Sequence, residues 1–387
     1  MARSVKKDIK MRIGIVCYPT YGGSGVVATE LGKGLAALGH IVHFITYAQP
    51  ARLDHFHENI FYNEVRFADY PLFDYPPYET ALASKLVDVV KNYQLDILHV
   101  HYAIPHASVA YLAKKILLSE GIYIPTVTTL HGTDITLVGR SPVYEPVVTF
   151  AMNKSDGLTA VSESLKKDTF NHFQISKQIV VIPNFVDISR FKRKQNCSYR
   201  NFIAPNNEKI LIHVSNFRAV KRVEDTIHIL SNLVGRVSVK LLLVGDGPER
   251  QNVEMLAREM NLMHHIHFLG KQDAIEDLLS VSDLFLMPSA SESFGLSALE
   301  AMACQVPVVS SNVGGLPEVN INGITGYCCK VGDITDMSEK TFQILTNDSH
   351  LELLRANSLE QANKFSIQKI IPIYEEYYKH IIDTFVY

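Results

Sequence analysis

Two rounds of one alternation constrain this chain more than any other feature. Short β-branched runs at 12–17, 41–46, 96–100, 125–130 and 157–161 predict strands, and apolar residues at helical spacing over 25–38, 79–93 and 106–118 predict helices between them. After Ile182-Pro183-Asn184-Phe185-Val186-Asp187 the order begins again. Strands are predicted near 209–214, 239–244, 266–269, 283–287 and 306–310, with helices near 222–233, 249–260 and 293–303. Strand–helix–strand order of this kind builds parallel sheets. The expected class is therefore α/β, with two Rossmann-like parallel-sheet lobes. The stretch 188–208 is polar and basic, holding Arg190, Lys192, Arg193 and Lys194, and reads as a surface connection. From Ser366 to Tyr387, Ile367, Ile370, Ile371, Tyr374, Tyr378 and Ile381 recur at helical spacing and predict a docking helix. The lobes are drawn at 11–185 with the returning segment 366–387, and at 186–365.

A length of 387 residues calls for two or three cores, and a hydrophobic fraction of 47% supplies the material for them. Net charge is -3 with cations scattered along the chain, which argues against a nucleic-acid partner. Lys6, Lys7 and Lys10 precede only a short apolar run at Ile13–Cys17, so 1–10 reads as a loose extension rather than a signal peptide. No stretch approaches the roughly 18 apolar residues that span a bilayer, and the cytoplasm is the expected location. Cys17, Cys197, Cys304, Cys328 and Cys329 lack metal-type spacing and read as free thiols of a reducing compartment.

The first strand runs into Tyr18-Pro19-Thr20-Tyr21-Gly22-Gly23-Ser24-Gly25, where glycines let a ligand approach and helix-opening N–H groups suit an anion. Gly23, Gly25 and Ala28 also fit the G-x-G-x-x-A spacing of dinucleotide sites. The second strand, however, ends in Ile45-Thr46-Tyr47 without the acidic ribose ligand of a dehydrogenase. A tight turn without a ligand is the plain alternative.

In the second half, Val214-Ser215-Asn216-Phe217-Arg218 leaves a strand, with Lys221 and Arg222 beyond it. Arg218 and Lys221 can converge on a diphosphate. At an effective dielectric near 20, a charge pair at about 4 Å is worth roughly 4 kcal/mol before desolvation. A helix terminus contributes only about 0.3–2 kcal/mol, so the cations should dominate. Gly245-Asp246-Gly247-Pro248 reads as a strand-ending turn, since Arg250 stands where the nucleotide fingerprint has its third glycine. Downstream, Glu292 and Glu300 flank Ser293-Phe294-Gly295-Leu296, with Glu300 about two turns into the predicted helix. Carboxylates accept from hydroxyl pairs, so Glu300 suits a ribose and Glu292 a hexose. The N–H groups of Phe294, Gly295 and Leu296 suit phosphate.

Taken together, the E-x7-E segment, Ser215–Lys221, the Gly22–Gly25 loop and Val313-Gly314-Gly315-Leu316-Pro317-Glu318 resemble the retaining glycosyltransferases of family 4, over nearly the whole chain. The resemblance implies a GT-B fold with a cleft between two lobes. Longer strings point to a branch that moves N-acetylglucosamine from UDP-N-acetylglucosamine to the hydroxyl of L-malate, in bacillithiol biosynthesis. They are Cys17–Gly25, Tyr75-Pro76-Pro77-Tyr78, His99-Val100-His101-Tyr102-Ala103-Ile104-Pro105-His106 and Thr128–Thr136.

That branch implies no cofactor and no metal. Arg218 and Lys221 would neutralise the diphosphate, Glu300 would hold the ribose and Glu292 the sugar. His131 would orient the hexose, and Gly23, Ser24 and Gly25 would face the donor. Ser24, Tyr102, Thr129, Arg140 and Asn216 are the candidates for malate, although Arg140 also reads as a plain surface arginine. Other acceptors, such as a lipid-linked sugar or an inositol phosphate, and a noncatalytic two-lobed binder remain open. The aromatic run from Phe61 to Tyr78 carries Asp69 and Asp74 and is followed by Glu79, which argues against an anionic lipid. Relatives imply a homo-oligomer. His99 and His101 share a strand face at a spacing metals can use, but they lack an acidic partner segment and read as packed or hydrogen-bonded.

Overall fold

The computed structural model describes residues 10–53, 56–67, 76–194 and 198–385. Residues 1–9 of the extension, Asp69, Asp74, Tyr75 and Cys197 lie outside them. The chain divides into two compact units, the first ending at Pro183 and resuming at Gln368, the second being Asn184–Ile367.

In the first unit, β1 (Arg12–Val16), β2 (Ile41–Thr46), β3 (Ile60–Glu64), β4 (Ile97–His101), β5 (Thr126–Leu130), β6 (Gly157–Ala160) and β7 (Val180–Val181) form one parallel sheet. Their order in space is β3-β2-β1-β4-β5-β6-β7. β4 and β5 are buried along their whole length, as central parallel strands must be when helices cover both faces. Leu82, Leu86, Val89 and Val90 of the helix Tyr78–Tyr93 pack with Val109, Ala113 and Leu117 of the helix Ser108–Ser119 in one core. The predicted C-terminal helix is Ile367–Thr384; it buries Ile370, Ile371, Tyr374, Tyr378 and Ile381, and the Tyr377 hydroxyl accepts from the Leu158 N–H at 3.0 Å.

The second unit holds β8 (Lys209–Val214), β9 (Val239–Val244), β10 (Ile266–Gly270), β11 (Leu284–Met287), β12 (Val308–Ser311) and β13 (Gly326–Cys329). These are parallel in the order β10-β9-β8-β11-β12-β13. Its core joins Leu211, Leu241 and Leu286 of the sheet to Ile227, Leu230 and Leu233 of the helix Val223–Leu233.

All ten expected strands are present, and β3, β7 and β13 are additional. β3 exposes Phe61 and Tyr62, while β7 has two residues, so neither carries a period-2 apolar signal. Among the helices not expected from the sequence, Glu163–His172 and Asp348–Lys364 start at side-chain caps: the Ser162 hydroxyl accepts from the Leu165 N–H, and the Asn347 side-chain amide oxygen from that of His350. The described part of the basic stretch 188–208 is more than the expected surface connection. Phe191, Ile203 and Ala204 are buried, Arg190 pairs with Glu276, and Arg200 pairs with buried Asp283 at 3.0 Å. Its cations thus strap the segment onto the second unit.

Candidate functional site

Each sheet changes direction of strand order once, between β1 and β4 in the first unit and between β8 and β11 in the second. Loops leaving neighbouring strands diverge at such a point, and open α/β sheets bind ligands there, beyond the carboxyl ends.

In the first unit the helix after β1 starts at Gly23, two residues earlier than its apolar pattern predicts. It has no side-chain cap and no acidic residue in its first turn, so no side chain of its own first turn offsets the positive end of its dipole. A Cβ on Gly25 would lie 2.4 Å from the Thr20 carbonyl oxygen and 2.5 Å from that of Tyr18, so only glycine lets the loop fold back onto the helix start. A Cβ on exposed Gly23 would meet no protein atom within 4 Å. The Ser24 hydroxyl donates to the Tyr102 hydroxyl at 2.9 Å, joining the loop after β1 to the residue after β4. Tyr102 has φ of 87°, a conformation unfavourable for a bulky side chain. It is held by its N–H to the Thr129 carbonyl at 2.9 Å.

Behind Tyr102 lies a group of histidines. His101 Nδ1 is 2.7 Å from His131 Nε2, and the Tyr102 and His131 ring centres are 5.5 Å apart. His99 contacts the Tyr378 hydroxyl at 2.5 Å and the Thr129 hydroxyl at 2.6 Å. His106 Nδ1 donates to the His101 carbonyl at 2.5 Å. Burial pushes the His99 and His131 rings down to about 3 and His106 to about 4, and takes His101 well below its ordinary value. All four are neutral near pH 7. Asp134 accepts from the N–H groups of Ala103 and Gly132, each at 2.9 Å, and of His131 at 3.2 Å; it pins the loop after β5 to the one after β4. Burial raises its carboxyl to about 6, against the lowering effect of those bonds.

Ser24, Tyr102 and His131 are therefore brought together. Thr129 is not a free ligand group: its enclosed hydroxyl is spent on His99 and, at 2.6 Å, on Thr159. It supports the histidines from behind. Arg140 is exposed, with His172 Nδ1 3.5 Å from its guanidinium. The packed reading of His99 and His101 agrees with these bonds, and among the described residues no group of three or more His, Cys, Asp or Glu is placed to hold a metal ion.

In the second unit the loop after β8 is anchored by Phe217, fully buried at a φ of 34°. Its neighbours Asn216 and Arg218 consequently point outward and are exposed. Arg218 makes no side-chain hydrogen bond or ion pair among the described residues. Lys221 pairs with Glu292, which also accepts from the Ser289 hydroxyl at 3.1 Å. This pair joins the loop after β8 to the loop after β11, as Ser24 and Tyr102 do in the first unit. Gly314, at φ of 54°, packs where a Cβ would lie 1.8 Å from the Glu292 carbonyl oxygen, and the Gly315 N–H donates to that oxygen at 3.0 Å. The Gly245–Pro248 turn is a brace of the same kind, with the Glu249 N–H donating to the Phe217 carbonyl at 2.9 Å. Phe294 and Gly295 lead into the helix Leu296–Ala303, so Glu300 sits one turn in rather than two, and it is buried.

Three residues without a sequence-derived role belong to this framework. Asp134 and His101 are two. The third is His213, whose Nδ1 donates to the Leu286 carbonyl at 2.8 Å and whose Nε2 lies 2.8 Å from the Ser215 hydroxyl. The adjacent Gly132 and the paired His99 and His101 were the available signals for the first two. The first unit by itself offers a helix start suited to anionic oxygens and imidazole and hydroxyl groups suited to hydroxyls; the second by itself offers an exposed guanidinium for anionic oxygens and carboxylates for hydroxyls.

Residues 21–190 match glycosyltransferase family 4, and residues 198–363 match glycosyl transferases group 1. The chain is 46% identical over 380 residues to N-acetyl-alpha-D-glucosaminyl L-malate synthase of Bacillus anthracis, covering 97% of this chain and 98% of that protein. Among solved structures, sucrose-phosphate synthase of Thermosynechococcus elongatus superposes with a TM-score of 0.81 at 21% identity, covering 97% of this chain and all of the other (100%). Anabaena Alr3699/HepE, solved with UDP and glucose, gives 0.81 at 20% identity, covering 95% of this chain and 99% of that one.

Proposed function

This chain belongs to the family 4 glycosyltransferases, and from that premise we propose that it transfers N-acetylglucosamine from UDP-N-acetylglucosamine to the hydroxyl of L-malate, with retention at the anomeric carbon. The observation that carries the reading is the near full-length identity to a protein named for that product. Transfer breaks the bond from the anomeric carbon to the diphosphate and forms one to the malate oxygen, and the departing phosphate oxygen takes the hydroxyl proton. Such a step needs placement and charge more than a protein nucleophile.

In this reading Arg218 and Lys221 meet the departing diphosphate, without a metal or other cofactor, alongside the N–H groups of Phe294, Gly295 and Leu296. Glu300 takes the ribose. Glu292, already bonded to Lys221 and Ser289, takes a sugar hydroxyl and holds the lysine in place. Gly23, Ser24 and Gly25 face the donor, His131 orients the hexose, and Ser24, Tyr102, Arg140 and Asn216 serve the acceptor. Thr129 acts indirectly, through its hydroxyl on His99 and its carbonyl on the Tyr102 N–H. The protein takes its substrates as small molecules and works as a homo-oligomer, which sedimentation velocity would measure. Among the described residues no helix is long and apolar enough to cross a membrane.

The test is UDP release by purified protein supplied with UDP-N-acetylglucosamine, with and without L-malate, and with a chelator in a parallel arm. The expected outcome is malate-dependent, chelator-resistant release and a product mass equal to N-acetylglucosamine joined to malate. Release independent of malate would overturn the acceptor, and no release with any hydroxyl acceptor would favour a binding protein.

A further inference from the structure

The histidine contacts of the first unit assign a proton. Neutral imidazole carries one N–H and one lone pair, so each contact restricts the next. His106 is settled locally: the His101 carbonyl can only accept, so Nδ1 bears the proton, and Nε2 accepts from the Tyr78 hydroxyl at 3.2 Å. Between His101 and His131 the contact is nitrogen to nitrogen, Nδ1 to Nε2 at 2.7 Å, and one ring must donate.

His101 decides which. It is fully buried and its Nε2 has no hydrogen-bond partner. Were Nε2 the protonated atom, a donor would be stranded in the interior. Orphaned buried N–H groups are the rarer kind in native proteins, because an unsatisfied acceptor is more readily tolerated. The lone pair therefore belongs on Nε2 and the proton on Nδ1.

We infer that His101 is a positioning residue that sets the tautomer of His131: His101 Nδ1–H donates to His131 Nε2, so His131 carries its own proton on Nδ1 and offers a donor there. A sugar hydroxyl is then met through its oxygen lone pair, which leaves its own proton free for a carboxylate. The ligand in this statement rests on the transfer reading above, but the tautomer does not.

Long-range proton–nitrogen correlation NMR of the full chain labelled with 15N-histidine reads the tautomer directly, with His131→Gln used for assignment. Protonated Nδ1 and unprotonated Nε2 in His131 are expected. The reverse pattern overturns the inference whatever the activity. A second measurement compares His101→Asn, whose amide nitrogen falls near the Nδ1 position, with His101→Gln, whose amide reaches toward Nε2. The Asn protein is expected to exceed the Gln protein in kcat/KM by about ten-fold or more, the size typical of partners that orient a functional imidazole. Equal losses, or better rescue by Gln, would mean that His101 merely fills space. Absence of malate-dependent turnover in a wild-type protein whose His131 carries its proton on Nδ1 would remove the transfer reading and support the tautomer.

Discussion

The two units put their candidate groups at equivalent points and join them by opposite means. At the reversal of the first sheet, the loops after β1 and β4 meet through an uncharged hydrogen bond from Ser24 to Tyr102. At that of the second, the loops after β8 and β11 meet through the Lys221–Glu292 ion pair, with Arg218 exposed beside it in sequence. Behind the first stand neutral histidines, and behind the second stand glycine turns that bring backbone against backbone. The second unit thus joins its loops by charge, as the proposed diphosphate contact would require, while the first joins them by a neutral hydrogen bond of defined direction. The contrast makes the first unit sensitive to protons and the second to loss of a cation.

Acid gives the largest expected effect. An unfolded histidine titrates near 6.5, whereas His99 and His106 in the fold titrate near 3 and 4 and His101 well below the ordinary value. Below 6.5 the unfolded chain binds protons that the folded rings refuse, so this stability is complete above about 6.5 and is lost as pH falls toward 4. Between pH 6.5 and 5, His99 and His106 each cost on the order of 1–2 kcal/mol, and His101 acts in the same direction. Asp134 works the other way, since its folded value near 6 lies above its unfolded one, but it is one group against several. In the second unit the comparable large depression is that of His213, to about 4. Hydrogen exchange at pH 5 should show protection lost in β4 and β5 before β8 and β11. Loss in the reverse order would break the contrast.

Lys221→Ala should lower kcat by about 10²–10³-fold, the cost of removing one group that stabilises developing charge. It should also lower the melting temperature, because Glu292, with a side chain 10% exposed, is left without its cation, at about 1–3 kcal/mol. Stability recovered in Lys221→Met with Glu292→Gln, without recovered UDP release, would separate the two roles. Wild-type turnover in Lys221→Ala would remove the electrostatic account of the second unit. His131→Ala should cost about 10²-fold in kcat/KM and leave the salt dependence of the reaction intact. A flattened salt profile would show that the first unit also acts through charge.

Much of this layout is legible in the sequence, and the illegible part has a pattern. Buried parallel strands such as β4 announce themselves through β-branched runs, and Arg218, Lys221, Glu292 and Glu300 are conspicuous by type and loop position. Pairings across strands are hidden. His101 meets His131 because β4 and β5 pair with His101 opposite Thr129, and Lys221 meets Glu292, 71 residues away, because β8 lies beside β11. Thr129 illustrates the consequence: a threonine at a strand end looks like a ligand group until its neighbours His99 and Thr159 are in place. Likewise Val313–Glu318 reads as a motif without a purpose until Gly314 is found against the Glu292 carbonyl.

The smallest expected effect tests the neutral half of the comparison most closely. Ser24→Ala removes one donor, and Tyr102→Phe removes its acceptor; a neutral hydrogen bond is worth about 0.5–1.5 kcal/mol net, so each should raise the KM for L-malate by about three- to ten-fold. If the bond acts as a unit, the double variant should do little more harm than either single one, with a coupling of about 1 kcal/mol. Additive losses would mean that each hydroxyl touches the acceptor independently. A change in melting temperature with no change in KM would make the contact a brace for the strained Tyr102 backbone, and selection by the first unit would then have to come from His131.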